Sequence, residues 1–237
     1  MLRMEVINKI IERKNAQNYL EIGVYDGRCF KTIKAKRKFA VDPLFRLSWE
    51  ERKDTLKKRL FKTLFDTFEL YYRETSDDFF KDHKDVLNKY PLDVVFIDGL
   101  HTFDQTMVDV KNVLQYLKED GVIILHDCNP LNETVAYPAQ SYDDAKAMNL
   151  PNWEGAWSGD VWKTIATIRS TREDISAFVL DTDCGLGIVT KRKSQKVNLL
   201  SEGDLKNLTY DMLEKNRTEL IGVKPVSYLP EFIASLS

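Results

Sequence analysis

Four short apolar runs each stop at an acidic residue, and this pattern limits the folds open to the chain more than any other feature. Tyr19-Leu20-Glu21-Ile22 leads into Gly23-Val24-Tyr25-Asp26-Gly27. Val41-Asp42, Val94-Val95-Phe96-Ile97-Asp98 and Val122-Ile123-Ile124-Leu125-His126-Asp127 follow in order. Apolar runs without alternation are what strands covered on both faces look like. Between them lie stretches with helical spacing, such as Val6, Ile7, Ile10 and Ile11. Strands alternating with helices predict a doubly wound α/β sheet, mostly parallel. Such sheets bind ligands outside the carboxyl ends of their strands, where these acids fall.

The rest of the chain reads in the same terms. Strands are expected at 18–24, 38–41, 68–72, 92–98 and 121–127, with Gly121 marking the turn into the last of these. Helices are expected at 3–16, from Arg28, at 103–118, 161–171 and 202–221. Ser76-Asp77-Asp78 resembles a helix cap. Phe178–Thr182 and Gly187–Thr190, joined by Asp183-Cys184-Gly185-Leu186, read as an antiparallel hairpin. Residues 46–66 suggest an amphipathic helix or helix pair, striped by Leu56, Leu60, Leu64 and Phe68 with Phe61 and Phe65 beside. Its basic residues Arg52, Lys53, Lys57, Lys58 and Arg59 read as a solvated face; the sharper alternative is a cationic lid. Residues 129–159 show little pattern but carry Tyr137, Tyr142, Trp153 and Trp157, which argues for an ordered loop. No repeat and no Gly, Ser or Pro-rich linker appears, so one domain spanning 1–237 is expected, with a core at about 15–192 and a helical extension at about 200–237.

Composition excludes several functions. The formal net charge is −2, from 35 basic and 37 acidic side chains, without the basic excess of a nucleic-acid binder. No apolar run is long enough for a membrane helix. Cys29, Cys128 and Cys184 form no disulfide framework, and the first residues carry no signal-peptide pattern, so a cytoplasmic location is expected. Three glycosylation sequons then read as chance matches.

The glycine turn identifies the kind of ligand. Gly23 and Gly27 allow close backbone approach, and Asp42 lies 21 residues after Glu21. A carboxylate about 20 residues beyond such a turn suits the hydroxyls of a ribose. The spacing is not that of a diphosphate-binding loop, and Glu21 and Asp26 would repel a diphosphate. A cationic, phosphate-free nucleoside fits better.

At this point the chain resembles the class I S-adenosylmethionine-dependent methyltransferases, and among them small methyltransferase-domain proteins related to sugar and macrolide O-methyltransferases. The resemblance rests on Leu20–Gly27, Phe96-Ile97-Asp98-Gly99-Leu100-His101, Gly121–Asp127 and Trp157-Ser158-Gly159-Asp160-Val161-Trp162-Lys163, and spans about residues 15–192. It implies a Rossmann-like, seven-stranded sheet with an antiparallel last strand. It implies that Glu21 and Gly23 hold the methionine part, with Tyr25 and Gly27 also at the cofactor, that Asp42 binds the ribose, and that Ser76 and Asp77 lie near the adenine. Asp98 would face the sulfonium or a metal.

Transfer to a hydroxyl needs alignment and proton removal. His101 is the first choice of base and His126 the second, with Asp127 beside them. Asp98, Asp127 and His126 could also hold Mg2+, although Cys128 stands where a further amide or acid ligand is usual in metal-dependent relatives. Trp157, Asp160 and Trp162 are candidates for an acceptor wall, or else a small satellite core. The expected activity is methyl transfer to a hydroxyl of a small molecule or glycan precursor, in a chain that could form a homo-oligomer. The alternatives are N-methylation, a nicotinamide-dependent oxidoreductase and a non-catalytic S-adenosylmethionine-binding subunit.

Overall fold

The computed structural model describes residues 1–46, 66–195, 200 and 202–236. Eight strands form one sheet: β1 (Asn18–Ile22), β2 (Arg37–Val41), β3 (Phe68–Tyr72), β4 (Leu92–Ile97), β5 (Leu117–Leu125), β6 (Ser176–Asp181), β7 (Leu186–Thr190) and β8 (Val223–Pro225). Their order is β3-β2-β1-β4-β5-β7-β6-β8. The strands from β1 to β5 pair in parallel, and β7 runs antiparallel to both β5 and β6. These are the seven expected strands; β8 adds an eighth by pairing in parallel with β6.

The helices are α1 (Arg3–Lys14), α2 (Arg28–Thr32), α3 (Ser76–Asp82), α4 (Lys84–Lys89), α5 (Phe103–Tyr116), α6 (Tyr142–Ala147), α7 (Trp162–Thr171), α8 (Glu202–Lys206), α9 (Tyr210–Leu220) and α10 (Leu229–Ser235). The pleat divides the core in two. Leu20, Val95 and Ile123 point to the face covered by α5 and α7, against Val110, Val113 and Ile165. Tyr19, Phe96 and Ile124 point to the other, against Val6, Ile7 and Ile10 of α1 and Phe232 of α10. Each such side chain contributes about 1.5–3 kcal/mol when fully buried.

Several local expectations shift. Thr75, rather than Ser76, caps α3, its hydroxyl accepting the Asp78 N–H at 3.2 Å. The strand expected from Gly121 already begins at Leu117, with a register irregularity opposite Leu92 and Val94. The single helix expected over 202–221 is two, α8 and α9, because Thr209 caps a fresh start at Tyr210. The helix or helix pair expected over 46–66, with its apolar stripe and basic face, falls on residues 47–65, outside the described residues. Among the described residues, no helix is long and apolar enough to cross a membrane.

Register is what builds the edge. Ile22 pairs with both Val41 and Ile97, and Ile97 pairs with Leu125. The backbone ladder continues one step further: Gly23 donates to Val41 O at 2.9 Å, Asp98 to Ile22 O at 2.8 Å and His126 to Ile97 O at 3.0 Å. Gly23, Asp42, Asp98 and His126 therefore stand side by side at the switch point, where strand order reverses between β1 and β4.

Candidate active site

The cofactor side of the edge is held by backbone. Gly23 has φ +81°, and a Cβ there would lie 1.9 Å from the carbonyl oxygen of Asp98. Close packing of the β1 turn on the end of β4 demands glycine, whatever the turn binds. Asp42 is buried, and its carboxylate accepts N–H bonds from Val24 at 2.9 Å, Tyr25 at 2.7 Å and Leu44 at 2.6 Å. It pins the loop after β1 to the end of β2.

The other half of the edge is a knot of acids and imidazoles. His101 Nε2 lies 3.1 Å from Asp98 Oδ1, and its Nδ1 lies 3.0 Å from the Trp157 carbonyl and 3.2 Å from Asp127 Oδ2. His126 Nδ1 is 3.1 Å from Asp127 Oδ2 and 3.3 Å from Asp98 Oδ1, without the alignment of a formal hydrogen bond. Both His101 (φ +61°) and Asp127 (φ +60°) hold left-handed backbone. Such conformations cost about 1–3 kcal/mol each and cluster at functional sites. Gly159 packs so closely beneath that its Cβ would sit 1.9 Å from His101 O. The indole of Trp157 stacks on the His101 ring at 5.5 Å, and its Nε1 donates to Tyr137 O at 2.8 Å.

The charges follow from these contacts. A carbonyl and a carboxylate can only accept, so both nitrogens of His101 carry protons. Burial alone would lower its pKa, but the Asp98 bond and the Asp127 charge outweigh burial and push it up to about 9. His126 is likewise raised against burial, by the charge of Asp98 above all. Burial would raise Asp98, yet His126 and His101 hold it well below the usual carboxylate range. Glu21 is the opposite case. It lies beneath the turn, 1% exposed, with the Tyr19 hydroxyl on its carboxyl at 2.5 Å, and desolvation pushes it up to about 8.

Three contributors were not apparent in sequence. Ser158 Oγ donates to Asp127 Oδ1 at 2.9 Å. Asp183, in the turn between β6 and β7, faces His126 Nε2 at 3.8 Å. Arg3 of α1 reaches Asp98 Oδ2 at 2.7 Å and Asp183 Oδ2 at 2.9 Å. Ser158 lies within the Trp157–Lys163 motif, whereas nothing local marks Arg3 or Asp183.

The donor set does not suit magnesium. Asp98, His101 and Asp127 offer ligand atoms within 4.8 Å of one another, but one oxygen of Asp98 is taken by a guanidinium and His101 brings nitrogen where magnesium prefers oxygen. Asp127 is shared with Ser158, His101 and His126. A hard dication would meet a set already balanced by Arg3 and two protonated imidazoles.

The remaining candidates divide. Tyr25 is exposed at the turn, with Arg46 over its ring at 4.8 Å, and Gly27 immediately precedes α2. Ser76 turns inward, donating to Asp109 Oδ1 at 2.6 Å, while Asp77 stays exposed within reach of Gln105. Asp160 caps α5 by accepting the Phe103 N–H at 2.7 Å, pairs with Lys163, and lines a cleft of about 200 Å³ with Leu100, Gln105 and Gln140. Trp162 is a correction: it is 1% exposed on the inner face of α7, packed in the main core, and cannot be an acceptor wall. A larger groove, about 770 Å³ between α1 and α10, is lined by none of these residues.

Comparison with known proteins points to the same fold. Residues 20–128 match the methyltransferase domain family. Comparison with curated proteins found no match. Among solved structures, a methyltransferase of Podospora anserina bound to S-adenosylhomocysteine is similar over 82% of this chain and 80% of its own, with a TM-score of 0.50 and 16% identity. Cofactor-bound Rv0187 from MTB is similar over 82% of both chains, with a TM-score of 0.50 and 12% identity. With strand order, register and the family match in agreement, the chain has the class I methyltransferase fold, and its residues 20–128 match the methyltransferase domain family.

Proposed function

We propose that the chain is an S-adenosylmethionine-dependent methyltransferase whose acceptor is a hydroxyl of a small molecule or of a sugar or glycan precursor. One observation carries the reading: register sets the glycine turn, the Asp42 carboxylate and the acid–imidazole knot on adjacent strand ends. That the Podospora anserina relative was solved with S-adenosylhomocysteine supports the cofactor.

S-adenosylmethionine, when bound, supplies a methyl group on a positively charged sulfur. The chain's own residues bind, orient and handle the proton. A carboxylate has about four acceptor positions, and three on Asp42 are filled by backbone N–H groups, which leaves room for a ribose hydroxyl. The Asp98 backbone stands against the Gly23 turn, and its carboxylate, already paired with Arg3 and His101, has only a shared negative charge to offer a sulfonium. His101 begins charged, so it must release a proton before it can take one from the acceptor. Added positive charge near Asp98 loosens that proton, and the ring, 23% exposed, has a route to solvent. The cleft beside Asp160 is lined by Leu100 and Thr102, the chain neighbours of His101.

Calorimetry with S-adenosylhomocysteine tests the reading. Wild type should bind it, and Asp42→Ala should bind at least about tenfold more weakly for a lost charged hydrogen bond. Binding of a nicotinamide cofactor in its place would refute the proposal. N-methylation is a second reading, favoured by the doubly protonated His101, since a neutral amine needs less help from a base.

A further inference from the structure

Arg3 is the cation of this edge that no reading of the strand ends anticipates. Its guanidinium is bidentate on Asp183, with Nε at 2.9 Å and the second terminal nitrogen at 3.2 Å, and it reaches Asp98 at 2.7 Å. Its backbone N–H also donates to Asp183, at 2.6 Å. The side chain is only 27% exposed. Its carrier is fixed: the inner face of α1 is fully packed, and the Thr182 hydroxyl holds the Met1 carbonyl at 2.6 Å.

We propose that Arg3 is the resident cation of the site, standing at Asp98 in place of a divalent ion and keeping such ions out. The physical reason lies in what metal binding displaces. Ions commonly enter sites by displacing protons from their ligands. A guanidinium cannot give up its proton at any accessible pH, so Arg3 has to be moved bodily out of two ion pairs. Arg also suits this place better than Lys, because its planar fork satisfies both oxygens of Asp183 while another nitrogen reaches Asp98. The acids at the strand ends then act on a cationic ligand through fixed charge. Transfer without added metal follows from this only if the methyltransferase reading holds.

Mn2+ binding, read from the loss of the free-ion electron paramagnetic resonance signal, tests the proposal without any turnover. Wild type should leave Mn2+ essentially free. Arg3→Met should bind it at least about tenfold more tightly than wild type, since a positive charge beside the ligand is gone. Arg3→Met combined with Asp98→Asn should lose that gain. Tight Mn2+ binding by wild type overturns the proposal, and that measurement needs no variant to fold. Equal affinity in wild type and a folded Arg3→Met, checked by circular dichroism, also overturns it. S-adenosylhomocysteine calorimetry on the same samples keeps the two ideas apart: failure there sinks the methyltransferase reading and leaves the Mn2+ result standing.

Discussion

The two halves of the strand edge use their acids in opposite ways. At the ends of β1 and β2, Glu21 and Asp42 serve the scaffold: Glu21 is buried against the Tyr19 hydroxyl, its pKa pushed up to about 8 by desolvation, and Asp42 ties three N–H groups of the loops together. At the ends of β4 and β5, Asp98 and Asp127 face imidazoles and a guanidinium, on backbone that includes two left-handed residues. The first half resists change by sterics and hydrogen bonds. The second stores charge. Similar strand ends thus yield a scaffold on one side and reactive groups on the other, and the difference comes from what packs against them.

This contrast can be broken by substitution. The largest effect is expected at His101. Its replacement by Ala should lower methyl transfer about 10²–10⁴-fold if it is the base, while S-adenosylhomocysteine binding stays close to wild type. The rate–pH profile should decide the matter: the wild-type rate should climb with pH toward about 9, as His101 loses its extra proton, and this limb should vanish in the variant. An unchanged rate would remove the role.

Gly23→Ala should act on stability instead. A methyl group placed 1.9 Å from a backbone carbonyl, at a positive φ, forces β1 and β4 apart. Chemical denaturation should show a loss of about 3 kcal/mol. A loss below about 1 kcal/mol would mean that the turn yields easily, and the scaffold half would not be rigid.

The last effect, a slope with pH and not a single loss, concerns Glu21. Its native pKa, about 8, lies above that of an unfolded Glu. Between the ordinary Glu range and about pH 8 the folded chain keeps a proton that the unfolded chain has released, so stability should fall as pH rises through that window. The slope should approach about 1.4 kcal/mol per pH unit at its steepest. Glu21→Gln should reduce it by that amount in melts recorded across the same range, leaving the parts that Asp109 contributes below about pH 6 and His101 contributes toward about pH 9. A slope unchanged in the variant would place the titration elsewhere.

Much of the edge was legible because a strand covered on both faces must be apolar until it reaches solvent, and its first polar residue marks the end. His101 and Asp127 were found that way, as were Asp98 and Asp42. Trp162 was misread for a related reason. It sits close to Asp160 in sequence, but the turn of α7 carries it to the inner face, and helical phase outweighs adjacency. Ser76 likewise faces Asp109 because α3 docks on α5.

The sequence by itself determined where strands stop, which residues stand at their ends and that glycine was needed after β1. These are local consequences of burial and backbone sterics. Only the tertiary structure decided which charges meet. Arg3 and Asp183 are 180 residues apart, and neither has a neighbour in sequence that announces the pairing. Electrostatic energy depends on distance in space and on burial, and both come into being when α1 and the β6–β7 turn close over the same end of the sheet.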